Sequence, residues 1–210
     1  GKKANQSRQS VTSVVFLDEY LLASAGANDG SIKLWDLRKS WTAKGPQNVK
    51  SFLSREASAT GRPRGISSLS VNRSRSKLLA SSTDHHIYMF DVVVPECEPV
   101  IFSGHRNGSF YVKSGFSPDD KYIVSGSSDS LVYIWDVATP LLPPIQLGGH
   151  VGEVSDVAWS PTEFWKLASS SDDSTVRLWT IDRQAREIAA EAEKAAASGG
   201  DRQALGERLG

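Results

Sequence analysis

The chain has 210 residues, with 24 Lys and Arg against 24 Asp and Glu and a formal net charge of zero, so no global field draws it to nucleic acid or to a membrane surface. Hydrophobic residues make up 39%, enough for a core, yet no apolar run approaches the roughly eighteen residues of a membrane-spanning helix. The single Cys97 cannot form an internal disulfide; packing and hydrogen bonds must hold the fold, and the cysteine usage fits a reducing compartment, cytosol or nucleus.

In chain order, residues 1–10 are polar and basic and read as a disordered segment. Residues 11–38 carry short β-rich runs and end on Trp35-Asp36-Leu37-Arg38. The stretch 39–65 holds Gly45-Pro46, Gly61, Pro63 and Gly65 with little periodicity, and reads as an irregular basic insertion. From Arg38 to Lys77 the cations are Arg38, Lys39, Lys44, Lys50, Arg55, Arg62, Arg64, Arg73, Arg75 and Lys77, against Glu56 alone. A solvated loop is the plainer reading of this arm, and contact with an acidic partner or with nucleic-acid phosphates is the functional one. Trp41 and Phe52 are too few aromatics for base stacking, so direct nucleic-acid contact is not expected. Three further segments, 66–94, 100–138 and 145–181, repeat the pattern of the first. In the third, the apolar runs 110–116, 122–124 and 131–135 are separated by Ser117-Pro118-Asp119-Asp120 and Ser127-Ser128-Asp129-Ser130. Such clusters mark turns between successive antiparallel strands. Residues 181–210 form an Ala/Glu-rich tail, expected to be helical over 183–197.

The four segments share one spacing. An Asp stands six residues before a closing aromatic: Asp29 and Trp35, Asp84 and Phe90, Asp129 and Trp135, Asp173 and Trp179. The closing aromatics are 55, 45 and 44 residues apart (90−35, 135−90, 179−135). Gly104-His105 and Gly149-His150 open the last two segments. A repeat of about forty to forty-five residues with Gly-His near one end and Trp-Asp at the other resembles a WD40 β-propeller blade. The resemblance implies an all-β fold, a segment of about four blades followed by the short helix. Most such rings carry seven blades, so an incomplete ring is expected, with further blades upstream.

Ser, His and Asp recur together, as His105, Ser125 and Asp129 and again as His150, Ser169 and Asp173. A hydrolase needs one such set, in one pocket with an oxyanion hole. A set renewed blade by blade, and always ending on a Trp, reads instead as a structural hydrogen-bond network, here with Trp135 and Trp179 as its last members. No catalytic residue, metal site or cofactor is expected. One Cys and four His, with His85-His86 adjacent in a turn, give no ligand spacing. The Gly26-to-Gly30 stretch has no helix after it to cradle a phosphate.

Trp35-Asp36-Leu37-Arg38 stands apart. Asp36 and Arg38 lie on one side of the segment that leaves the blade, where an Arg can fork onto a partner's carboxylate. Stretches 24–39, 84–92, 104–129 and 171–179, and above all the run from Asn107 to Lys113, resemble the denticleless family. That family comprises substrate receptors of cullin-4 RING ubiquitin ligases. The resemblance implies a nuclear, non-catalytic adaptor that docks on the ligase's propeller-built adaptor through Trp35, Asp36 and Arg38. Its other face would present substrates bound to the DNA sliding clamp. The alternative is a general WD40 scaffold for peptides or histone tails with no ligase role.

Overall fold

The computed structural model describes residues 10–27, 30–39, 48–53, 65–94 and 97–180; for 48–53 it describes the backbone. The chain divides into two compact units, Gly1–Leu178 and Trp179–Gly210. The tail expected to be helical and the N-terminal nine residues lie outside the described residues.

All regular structure in the described residues is β. The first sheet holds β1 (Val11–Phe16), β2 (Leu21–Gly26), β3 (Ser31–Asp36) and β4 (Asn48–Leu53). The second holds β5 (Ile66–Val71), β6 (Lys77–Ser82), β7 (Ile87–Asp91) and β8 (Val100–Phe102). The third holds β9 (Ser114–Phe116), β10 (Tyr122–Ser125), β11 (Leu131–Asp136) and β12 (Ile145–Gly148). The fourth holds β13 (Val154–Trp159), β14 (Lys166–Ser171) and β15 (Val176–Thr180). Each is an antiparallel meander in chain order, and together they form a partial propeller.

Two differences from the sequence reading have physical causes. β4 lies inside the stretch read as irregular and pairs with β3, Ser31 opposite Leu53 and Leu34 opposite Lys50. An outermost strand is held by one ladder only, so it needs little apolar patterning to form. β8 and β12 likewise close the preceding sheet, so the sequence repeat and the sheet are offset by one strand. Second, the run 110–116 is strand only at Ser114–Phe116. Before it, residues of this segment spend their hydrogen bonds on neighbouring blades: Lys113 N–H donates to the Ser155 carbonyl and Ser67 Oγ to the Val112 carbonyl.

The first strands align the blades. Thr12 Oγ1 donates to the Ile66 carbonyl and the Leu69 N–H to Ser13 Oγ, so β1 and β5 start at the same level. The Ser114 N–H donates to Ser68 Oγ across the next junction. At the far end, Arg75 Nη1 donates to the Phe16 carbonyl, and the Arg73 N–H and Asn72 Nδ2 donate to the Asp120 carboxylate. Each blade therefore has an upper end, where its first strand begins, and a lower end, where that strand finishes.

The middle strands of the second and third blades need apolar residues on both faces, because each of these blades is pressed between two others. In β6, Leu78 and Ala80 join the core against the first blade, while Leu79 joins the core against the third. In β7, Tyr88 and Phe90 face one way and Ile87 and Met89 the other. Burying each large side chain contributes about 1.5–3 kcal/mol.

Candidate docking site on the first blade

Asp36 ends β3 at the lower end of the first blade. Its Oδ1 accepts the Arg38 N–H at 3.0 Å, an Asx turn that stops the strand and reverses the chain. The same cap recurs: Asp91 accepts the N–H groups of Val93 and Val94 at 2.8 Å, and Asp136 that of Ala138 at 2.8 Å. The closing Asp is thus explained by turn chemistry in three blades. Only the first places a cation two residues later, where the others have Val93 and Ala138.

That cation is held in place. Arg38 Nε donates to Asp36 Oδ1 and Nη2 to Asp36 Oδ2, both at 3.0 Å. Its guanidinium carbon sits 5.2 Å from the centroid of the Tyr20 ring, within cation–π range. The Leu37 N–H donates to the Tyr20 carbonyl, and Asp18 Oδ1 accepts the Tyr20 and Leu21 N–H groups, which fixes the ring's own turn. The fork expected to reach a partner's carboxylate is already used within the chain, because Asp36 is the nearest carboxylate and is fixed by its turn. The Arg38 side chain is still 66% exposed, against 12% for Asp36. The guanidinium hydrogen bond lowers Asp36 to a pKa of about 2, and Asp36 in turn raises Arg38. Trp35 is half-buried, its Nε1 donating to Ser24 Oγ at 2.8 Å. Phe16, Tyr20 and Leu37 are exposed around the turn.

The two Ser-His-Asp sets differ. In the fourth blade, Asp173 Oδ2 lies 2.8 Å from His150 Nδ1, and His150 Nε2 lies 2.8 Å from Ser169 Oγ. Asp173 also accepts from the Thr175 hydroxyl, 2.6 Å, and from the Val151 and Thr175 N–H groups. The Thr175 bond leads in holding its carboxyl below the usual range; burial opposes it and His150 adds to it. This is the order of contacts of a nucleophilic triad, but Ser169 is 2% exposed, so a substrate has no path to its hydroxyl. Trp179 opens the second compact unit.

In the third blade the expected set does not connect. His105 is 2% exposed with both ring nitrogens unbonded, and stands edge-on to Trp135 at 5.4 Å and 83°. Ser125 Oγ donates to the Gly126 carbonyl, and Trp135 Nε1 to the Ser103 carbonyl. Asp129 Oδ2 accepts from the Tyr133 hydroxyl at 2.8 Å, as Asp84 Oδ2 accepts from Tyr88 at 2.8 Å. A tyrosine four residues after the Asp takes the place of the histidine. Asp-x-x-x-Tyr in DHHIY and DSLVY was the available signal; the first and fourth blades have Lys33 and Arg177 there. Burial, then the Asp129 contact, push Tyr133 up to about 12. Burial, then the charges of His85 and His86, pull His105 down to about 4.

Comparison with known proteins agrees with the fold. The family model described as "WD domain, G-beta repeat" matches residues 3–36, 96–136 and 143–180. It passes over the second blade, whose closing aromatic is Phe90. The chain is 50% identical over 179 residues to "Denticleless protein homolog" of Homo sapiens, a match covering 84% of this chain and 24% of that protein. It is 49% identical over 183 residues to the Mus musculus homolog, covering 86% of this chain and 25% of that one. It is 35% identical over 174 residues to "Protein lethal(2)denticleless" of Drosophila melanogaster, covering 82% and 22%. The chain thus spans about a quarter of the length of the curated relatives it matches.

Proposed function

The chain belongs to the denticleless family of WD40 proteins, and from that premise we propose that it is a substrate-recognition adaptor of a cullin-4 RING ubiquitin ligase. Trp35, Asp36 and Arg38, with Tyr20 beneath the guanidinium, dock on the ligase's propeller-built adaptor. The substrates are proteins bound to the DNA sliding clamp, ubiquitinated in step with replication in the nucleus. The mechanism is proximity. Holding a substrate lysine near a charged ubiquitin-conjugating enzyme raises its effective concentration and asks no chemistry of this chain.

The observation that carries the reading is Arg38 itself: exposed, forked onto Asp36 and seated on Tyr20. An arginine fixed in this way loses little side-chain entropy on binding. It is supported by Phe16, Tyr20 and Leu37, an apolar margin suited to a protein partner. Co-precipitation of the purified cullin-4 adaptor with wild type and Arg38→Ala tests it. Recovery with wild type and loss with the variant are expected. Equal recovery with both removes the ligase reading and leaves a general scaffold.

A further inference from the structure

The connection from Gly104 to Lys113 crosses the upper ends of three blades, at the opposite end from Arg38. Its anchors are many. The Asn107 N–H donates to His85 Nδ1 and its side-chain Nδ2 to Ser67 Oγ, each at 3.0 Å. The Ser128 N–H donates to the Arg106 carbonyl at 2.8 Å. Glu153 of the fourth blade clamps it, accepting from Ser109 Oγ at 2.8 Å while Ser128 Oγ takes its other oxygen at 2.6 Å. Phe110 leans its ring edge on Gly65, where a Cβ would collide with that ring and with the Ala27 carbonyl.

A segment this well fixed nevertheless presents Tyr111 at 73% exposure and Phe110 at 43%. The Tyr111 hydroxyl has no hydrogen bond among the described residues. Packing therefore does not account for the tyrosine. A large ring held at little entropy cost is what a binding hot spot requires. The surroundings select the ligand's charge. The described turns and connections at this end of the second, third and fourth blades carry Asp84, Asp129, Glu153, Asp172 and Asp173 against Arg106 and Lys113. Lys113 is moreover paired with Asp156 at 3.2 Å. Asp84 and Asp129 each accept from a tyrosine hydroxyl, a donor that brings no positive charge to this end.

We propose that Phe110 and Tyr111 form a seat for a lysine or arginine side chain of an extended peptide. The cation lies on the Tyr111 face, and the acidic turns draw the peptide to this end. The site does not depend on the ligase reading, since Arg38 lies at the other end of the blades.

The test is fluorescence anisotropy with three fluorescein-labelled peptides, alternating Lys-Ala, Glu-Ala and Ser-Ala, titrated with the chain. The Lys-Ala peptide should bind, and more weakly as salt rises. Tyr111→Ala should weaken it about fivefold to tenfold, the worth of a partly desolvated cation–π contact. Tyr111→Phe, which keeps the ring, should bind as wild type. Tyr111→Ser serves as a second ring-less variant, and circular dichroism should show the β signal intact in each. Equal affinity of wild type and both ring-less variants overturns the proposal. So does equal binding of the Glu-Ala peptide, or no binding of the Lys-Ala peptide.

Discussion

His105 and His150 occupy matching places after a glycine, and replacing each with Phe should give opposite results. His105 is buried, touches Trp135 edge-on and bonds through neither ring nitrogen. Its ring titrates near 6.5 in an unfolded chain and at about 4 in place, chiefly because burial penalises the charged form. Above pH 6.5 the ring is neutral in both states and adds no pH dependence. Below it, the unfolded chain takes up a proton that the folded chain refuses, so stability falls as acid is added, until the pH passes about 4. The loss is about 2 kcal/mol at pH 5 and approaches about 3 kcal/mol below pH 4. Phe does not titrate. Urea unfolding followed by tryptophan fluorescence at pH 7.5 and pH 5.0 should show a pH-linked loss about 2 kcal/mol smaller in His105→Phe than in wild type. The other histidines are common to both proteins and cancel in the difference. At pH 7.5 the variant should lie within about 1 kcal/mol of wild type, since the added bulk offsets the removal of two unbonded nitrogens. His150→Phe removes the link between Ser169 Oγ and Asp173 Oδ2, while Asp173 keeps its Thr175 and Val151 donors, and should cost about 1–3 kcal/mol. A loss of 3 kcal/mol or more in His105→Phe at pH 7.5 would mean, on the scale of a buried bonded group, that the ring makes hydrogen bonds after all. So would a pH response identical to that of wild type.

Tyr133→Phe leaves Asp129 without its hydroxyl donor and should lower stability by about 1–3 kcal/mol in the same unfolding assay, whereas a catalytic role for Asp129 predicts no such loss. Leu78→Ala empties a fully buried site between the first and second blades and should cost about 2–5 kcal/mol in thermal or urea unfolding. Asp36, held down by Arg38, is ionised at every pH well above 2. The stability this fork contributes is present above about 3.8 and is lost only as the pH falls through about 2. Adaptor capture should therefore not change between pH 5 and pH 8 through this pair, and Asp36→Asn, which cannot keep the charged fork, should weaken capture at every pH in that range.

Four blades were legible because each middle strand repeats an apolar pattern and each hairpin needs an Asp at one spacing. In three of the four the following residue is His85, Ser130 or Ser174 in a left-handed conformation, and in the first it is Gly30. Asp84, Asp129 and Asp173 each accept the N–H two residues on, which is why the spacing to the closing aromatic never varies. The outer strands were not legible, since β4, β8 and β12 meet the sheet along one ladder and carry a weak pattern. Nor was the loop before β9, whose bonds run to side chains on three other segments. The fate of His105 was hidden for a related reason: whether a histidine or a tyrosine takes the Asp depends on which reaches it first in space. At the docking turn, sequence spacing placed Asp36 and Arg38 on one side but could not show that they bind each other.

The affinity of the purified cullin-4 adaptor for wild type, Arg38→Lys and Arg38→Ala, measured by calorimetry, bears most directly on the docking role. A lysine keeps the charge but not the two-pronged grip on Asp36 or the flat seat on Tyr20. Wild type should bind the tightest, with Arg38→Lys intermediate and Arg38→Ala weaker by about tenfold to a hundredfold, the range of one charge-assisted hydrogen bond. Three equal affinities, or no measurable affinity for wild type, would contradict the account.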